Sequence, residues 1–286
     1  MRVHLVDGTF ELYRAHFSPR PDRPFKATVG LVASMVALLT DPDEAVTHLA
    51  IAFDNPIVSF RNDLFDGYKS DEGVPPDLRA QFDLAEEAMR ALGVVVWSMD
   101  KYEADDALAT GATRFSDGAE QVRILTPDKD LGQCVKGNRI VQVDRMRRRV
   151  IDEATIRTTR GIAPESIPDW LALVGDTSDG IPGLAGFGAK SASAILGRWK
   201  TVEEIPASPA AWDVKVTGAP RLSATLEAQR PEALLYKRLA TLVTDVPLAE
   251  SLDDLAFTGV PRDLYEALGK RVDLGGIGDR IPKFKT

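Results

Sequence analysis

The chain has 286 residues, 44% of them hydrophobic, with a single cysteine and a formal net charge of −8. That length and apolar content suffice for a buried core in one or two domains, no apolar run is long enough for a membrane span, and the opening MRVHLVDGTF lacks the plan of a signal peptide. The lone Cys134 excludes an internal disulfide framework and fits a reducing compartment, the cytoplasm, while His4, His16 and His48 have no metal-ligand spacing.

In chain order, apolar runs of strand length alternate with helical patterns. VHLVD reads as a strand, ATVGLVASMVALL as a helix and THLAIAFD as a second strand. PDLRAQFDLAEEAMRALG is amphipathic at helical spacing, with Pro76 near its start and Gly93 as its stop. GVVVWSM, QVRILT and NRIVQV supply further strands, with the helical stretch YEADDALA after the first of them. RMRRRVIDEATIRTTRG reads as a basic hairpin and a short helix; IPDWLALVGD opens a mainly helical region, and the stretch from about Ser251 is weakly patterned. Continuous apolar strands alternating with helices imply an α/β fold around a mostly parallel, buried sheet. Two domains are expected, 1–165 as a catalytic core and 166–286 as a helical binding region with a C-terminal segment.

Nine carboxylates fall where the apolar segments run out: Asp7, Asp54, Glu103, Asp105, Asp106, Asp128, Asp130, Asp176 and Asp179. Ligands of parallel sheets bind beyond the carboxyl ends of the strands. Buried acids cost desolvation and mutual repulsion, which shared divalent cations offset, and an all-oxygen donor set favours Mg²⁺ or Mn²⁺ over Zn²⁺. Taken singly, each acid has an ordinary role open to it, as a helix cap or an Asx turn; it is their recurrence at five segments that points to metal. In an extended segment Asp128 and Asp130 project to one side and Lys129 to the other, while on a helix Glu103 and Asp106 lie about 60° apart. The 43 acids less these nine leave 34 against 35 basic residues, so the net charge does not exclude a polyanionic partner.

The segment DTSDGIPGLAGFGAKSASAIL places Gly183, Gly186 and Gly188 just before a helix whose first turn holds Lys190 and Ser191. Such a turn offers main-chain N–H groups to a phosphate, though a plain glycine-rich connection is also open. Arg61, Tyr68 and Lys69 in SFRNDLFDGYKSDEG suit a phosphate clamp and base stacking.

Taken in order, these segments resemble the 5′ nuclease family, which includes the 5′→3′ exonuclease domain of bacterial DNA polymerase I, phage 5′ nucleases and flap endonucleases. LVDGTFELYRAHF, AFDNPIVSFRNDLFDGYK, YEADDALAT, TPDKDLGQCV, LVGDTSDGIPGLAGFGAKSASAIL and LATLVTDVPL carry the likeness, over residues 1 to about 250. The resemblance implies a PIN-like core followed by a helix–three-turn–helix that grips duplex DNA. It implies that all nine acids bind or support two or three Mg²⁺ or Mn²⁺ ions, with Asp7, Asp128 and Asp130 catalytic and Lys69 near the scissile phosphate. Arg61 and Tyr68 would line the passage for the 5′ strand, and the turn from Gly183 to Gly188 would hold the duplex, with K⁺ bound there.

The activity implied is cleavage of DNA from 5′ ends, overhangs or nicks, or at 5′ flaps, in primer removal and repair, by a stand-alone monomer in the cytoplasm, on the nucleoid. A PIN-like single-stranded ribonuclease and a non-catalytic DNA-structure binder are the alternatives. Two positions depart from the family pattern: Glu72 stands where a basic residue is usual, and Gly180 where Asn is usual.

Overall fold

A computed structural model describes residues 1–285. Packing divides it into two compact units, one made of Met1–Val58, Asp71–Thr126 and the chain from Val243 onward, the other of Ser59–Ser70 and Pro127–Leu242.

The first unit is built on four parallel strands in the order β3-β2-β1-β4, with β1 at Arg2–Asp7, β2 at His48–Asp54, β3 at Val95–Met99 and β4 at Gln121–Leu125. Val3, Leu5, Ile51, Phe53, Val122 and Ile124 are all closed to solvent, as expected of strands covered on both faces. The register sets Asp7 beside Ala52 and Asp54 beside Met99, so both acids stand at carboxyl ends of adjacent strands. Helix α1 (Gly8–His16) starts at once after β1, α2 (Lys26–Leu39) packs on it, and α5 (Ala104–Phe115) lies against all four strands.

The amphipathic stretch after Pro75 is not one helix. It forms α3 (Pro76–Arg79) and α4 (Phe82–Ala91), with ψ near zero at Ala80 and Gln81 between them. The buried Gln81 side chain explains the break: its Nε2 donates to Asp77 O at 2.9 Å, and its Oε1 accepts from Thr28 N at 3.1 Å. Those bonds tie the junction to the first turn of α2 and satisfy an amide that burial would otherwise penalise.

The chain returns to this unit at Val243 and is strapped along α5. Val246 N donates to Thr110 Oγ1 at 3.1 Å and Arg114 Nη1 to Leu248 O at 2.7 Å. The weakly patterned end contains short 3₁₀ turns and one further helix, Arg262–Arg271.

The second unit contains a 3₁₀ turn at Asp130–Cys134 and an antiparallel hairpin of β5 (Ile140–Asp144) and β6 (Arg149–Ile151). Its helices are α6 (Glu153–Arg160), α7 (Ile167–Val174), α8 (Ala189–Trp199), α9 (Ala219–Ala228) and α10 (Arg230–Ala240). Helix α7 packs on α8 and α10 around Leu171, Ile195, Leu226 and Leu239, each at most 1% exposed. Trp212 joins this cluster, and Trp170 and Trp199 pack against it. The expectation of a mostly parallel α/β sheet followed by helices holds. Among the described residues no helix is long and apolar enough to cross a membrane.

Candidate metal centre

In the first unit the acids are anchored to main-chain N–H groups. Asp7 caps α1 by accepting from Phe10 N at 2.8 Å, and its other oxygen accepts from Thr126 Oγ1 at 2.9 Å. Asp54 Oδ1 accepts from Ala104 N at 2.8 Å, which seats a carboxylate on the N-terminus of α5, where the helix dipole favours it. Glu103 is the N-cap of α5 and forms a capping box with Asp106. Asp106, fully buried, takes Glu103 N on one oxygen at 3.0 Å and Val243 N on the other at 2.8 Å. Asp105 is half-buried. The capping roles open to these acids are realised, and the same bonds fix them at the carboxyl edge of the sheet.

In the second unit the acids face one another. Asp176 and Ile181 exchange main-chain hydrogen bonds at 2.8 Å each way, closing a tight loop that carries both Asp176 and Asp179. Asp176 Oδ1 accepts from Ser178 N at 2.9 Å, an Asx turn. Asp130, Asp176 and Asp179 each offer an oxygen within 4.8 Å of the others. Asp130 Oδ1 is buried without a hydrogen-bond partner. Burial, and then the nearby charges of Asp128, Asp179 and Asp176, push the Asp130 carboxyl well above its usual range, against the opposing pull of Lys129. A hard divalent cation fits this donor set: it neutralises the repulsion and takes the oxygen that has no hydrogen bond.

Lys129 does not project away from Asp128 and Asp130, contrary to the extended reading of PDKD. The segment turns, with Lys129 at φ −67° and ψ −21° and Asp130 N bonded to Asp128 Oδ1 at 2.9 Å. The turn folds the lysine back, so that its Nζ hydrogen-bonds Asp176 Oδ2 and lies 3.9 Å from Asp130 Oδ1. Burial works against that ammonium, but the Asp176 bond and the surrounding carboxylates outweigh it and raise its pKa.

Lys69 Nζ stands 3.3 Å from Asp179 Oδ1. Arg61 and Tyr68, from the same segment, are both buried. Arg61 is fully buried, donating from Nε to Leu239 O at 2.7 Å and from Nη2 to Thr241 O at 3.0 Å. Tyr68 is 6% exposed and belongs to the helical core cluster. Arg61 and Tyr68 thus have structural contacts of their own, and a guanidinium at the end of α10 satisfies carbonyls that the helix leaves open.

Glu72 is exposed. Gly183 and Gly186 have φ of +69° and +89°, and a Cβ at Gly183 would meet Gly175 N at 2.5 Å, so the turn needs glycine there. Gly188 is exposed with nothing within 4 Å of its added Cβ, Lys190 is exposed, and Ser191 Oγ accepts from Gly188 N at 3.0 Å.

Sequence reasoning missed Arg160. Its Nη1 donates to Lys129 O at 3.3 Å, and burial lowers its pKa while Asp130 and Asp128 oppose that. A cation in the last turn of a helix reads as a dipole partner, and no sequence signal aims it at acids thirty residues away.

The first unit thus carries acids at the carboxyl ends of its parallel strands, and the second unit carries an acid cluster of its own. Residues 2–161 match the family described as 5′-3′ exonuclease, N-terminal resolvase-like domain, and residues 162–263 the 5′-3′ exonuclease, C-terminal SAM fold. The chain belongs to the 5′-3′ exonuclease family.

It is 31% identical to a 5′-3′ exonuclease of Aquifex aeolicus over 88% of this chain and 86% of that one. It is 34% identical to DNA polymerase I of Bacillus caldotenax over 95% of this chain and 31% of the polymerase. The chain therefore spans under a third of that relative, and 32% of the Bacillus subtilis polymerase. Its fold is that of the bacteriophage T5 5′-exonuclease with bound zinc, at a TM-score of 0.69 and 18% identity, covering 96% of this chain and 98% of that one. The catalytic core of Rad2 in complex with DNA substrate matches at a TM-score of 0.61 and 14% identity, covering 98% and 89%.

Proposed function

We propose that the chain is a structure-specific 5′ nuclease that hydrolyses DNA phosphodiester bonds from 5′ ends or at 5′ flaps, in primer removal and repair. The observation that carries this reading is the Asp130–Asp176–Asp179 cluster, with a buried Asp130 oxygen that has no hydrogen bond and with Lys69 at its rim. Asp128, Asp130, Asp176 and Asp179 in the second unit, and Asp7, Asp54, Glu103, Asp105 and Asp106 in the first, are assigned to two or three divalent ions, Mg²⁺ or Mn²⁺. Such ions, when bound, lower the pKa of a water and stabilise the leaving oxygen of an in-line displacement.

The remaining work falls to the chain. Asp7, Asp54 and Asp106 are held by main-chain N–H groups, so their carboxylates are positioned before substrate arrives. Lys69 supplies a positive charge for the scissile phosphate, its main chain fixed to the Asp179 loop by the Lys69 N to Asp179 O bond at 3.1 Å. The turn from Gly183 to Gly188, the N-terminus of α8, Lys190 and Ser191 are assigned to the duplex backbone, with K⁺ at that turn. The product carries a 5′ phosphate. The protein is assigned to DNA with 5′ flaps, overhangs or nicks, acting as a monomer in the cytoplasm.

The test is cleavage of a 5′-labelled flapped duplex in Mg²⁺ and in Mn²⁺, with a chelator control and a labelled single-stranded RNA alongside. Metal-dependent cuts at the flap junction, lost in Asp130→Ala, support the reading. An inert flap with degraded RNA overturns it in favour of a single-strand ribonuclease.

A further inference from the structure

The acid cluster of the second unit already contains a cation. Lys129 Nζ is hydrogen-bonded to Asp176 Oδ2 and lies 3.9 Å from Asp130 Oδ1, the oxygen that has no hydrogen-bond partner. The other Asp176 oxygen accepts from Ser178 N at 2.9 Å. Oδ2 is therefore the Asp176 oxygen not already tied to its own loop, and the ammonium takes it. A small divalent ion binds carboxylate oxygen at about 2.1 Å and tolerates no second cation on the same lone pairs.

The two ends of Lys129 differ in freedom. Its carbonyl accepts from Arg160 Nη1, and the next residue is pinned through Asp130 N to Asp128 Oδ1. Its side chain, by contrast, is 36% exposed, on a flexible four-carbon stem with a way out to water. The main chain can hold while the ammonium leaves.

We infer that Lys129 and a divalent cation are mutually exclusive partners of Asp176, so that loading the Asp130–Asp176–Asp179 cluster swings the Lys129 side chain out to solvent. The inference rests on the metal reading of this cluster. Lys129 then acts as an internal competitor: it screens the acids from one another and sets the divalent concentration at which the site fills. Lys237 is the contrasting case. It pairs with Asp169 at 3.0 Å and Glu203 at 2.8 Å, two acids outside the three-carboxylate cluster, and is not expected to move.

The test uses the full chain and reads the lysine itself. Amine acylation is followed by mass spectrometry in chelator and through a MgCl₂ titration. Lys129 labelling should rise several-fold as Mg²⁺ saturates, with Lys237 constant. In parallel, Mn²⁺ binding is followed by the electron paramagnetic resonance of the free ion. Lys129→Met should bind Mn²⁺ roughly tenfold tighter than wild type, with Lys129→Arg close to wild type because the competing charge is kept.

Wild-type binding that Asp130→Asn weakens, together with Lys129 labelling that is flat or falling in Mg²⁺, overturns the exclusion and makes Lys129 a fixed support of Asp176. Mn²⁺ binding that is absent, or indifferent to Asp130→Asn, overturns the metal reading itself.

Discussion

Lys69 is joined to Asp179 twice, by its main-chain N–H to the Asp179 carbonyl at 3.1 Å and by its ammonium to Asp179 Oδ1 at 3.3 Å. The double link depends on Gly180. That residue has φ +74°, and a Cβ there would fall 2.0 Å from the Gly67 carbonyl oxygen. Glycine at position 180 is thus what allows residues 67–69 to lie against the acidic loop. Asn tolerates a left-handed backbone better than Ala, so Gly180→Asn isolates the close approach from the backbone strain. It should lower single-turnover flap cleavage by about ten- to a hundredfold, through displacement of Lys69. Thermal unfolding is recorded beside it. Wild-type cleavage in Gly180→Asn would mean that the Gly67 segment yields without moving the lysine.

Arg61 is expected to matter for folding. Its guanidinium bridges Leu239 O and Thr241 O from a site closed to water, with the Phe60 ring 4.7 Å away. Arg61→Ala leaves the buried Leu239 carbonyl and the partly buried Thr241 carbonyl without this partner and opens a cavity, a loss of about 3 kcal/mol or more. Arg61→Lys keeps the charge but not the fork and should recover only part of it. Denaturant unfolding measures both. Full stability combined with weakened flap binding would return Arg61 to the DNA.

Acid stability should depend on Glu44. It accepts from Arg123 Nε at 2.7 Å and Nη2 at 3.0 Å, and pairs with the buried His4 ring at 3.0 Å. The His4 hydrogen bond, helped by Arg123 and opposed by burial, lowers its pKa from 4.5 to about 2. A depressed carboxylate stabilises the fold above its unfolded pKa and loses that contribution as pH falls through its folded value. The loss is therefore expected between pH 4.5 and about 2, and is on the order of 2 kcal/mol. Glu44→Gln should be less stable at neutral pH and flatter across that window. Parallel unfolding curves for the two proteins down to the acid limit would remove Glu44 from the account.

Strands were legible because VHLV, LAIAF and QVRIL are mainly apolar runs, and burial on both faces favours that pattern. The acids were legible by position, since a strand's end fixes where the next residue goes. What stayed hidden were side-chain directions set by contacts distant in sequence. Arg61 reads as a phosphate clamp, and nothing in the sequence shows that it also bonds the terminal carbonyls of α10. Lys129 reads as opposite Asp128 and Asp130 only if the segment is extended, and the 3₁₀ turn at Asp130 reverses it. The break at Gln81 was hidden in the same way: its cause is a hydrogen bond to Thr28, fifty-three residues earlier.

Asp130 sets function against stability most directly. Its carboxyl is buried beside Asp128, Asp179 and Asp176, which raises its pKa well above the usual range. A raised carboxyl stabilises the fold while protonated, and that contribution fades as pH rises through the folded value. In chelator, therefore, wild type should lose stability with rising pH over a span that Asp130→Asn does not share. The neutral amide removes the buried repulsion, so Asp130→Asn should be the more stable protein at neutral pH without metal, as expected where a site is built against the fold's own preference. Saturating Mg²⁺ should reverse the order, because the carboxylate then has a cation and the amide does not. Thermal unfolding at two pH values, with chelator and with Mg²⁺, gives all four comparisons. If Asp130→Asn were the less stable protein in chelator, Asp130 would be serving the fold through its neighbours, and the cluster would lose its strongest claim to a metal.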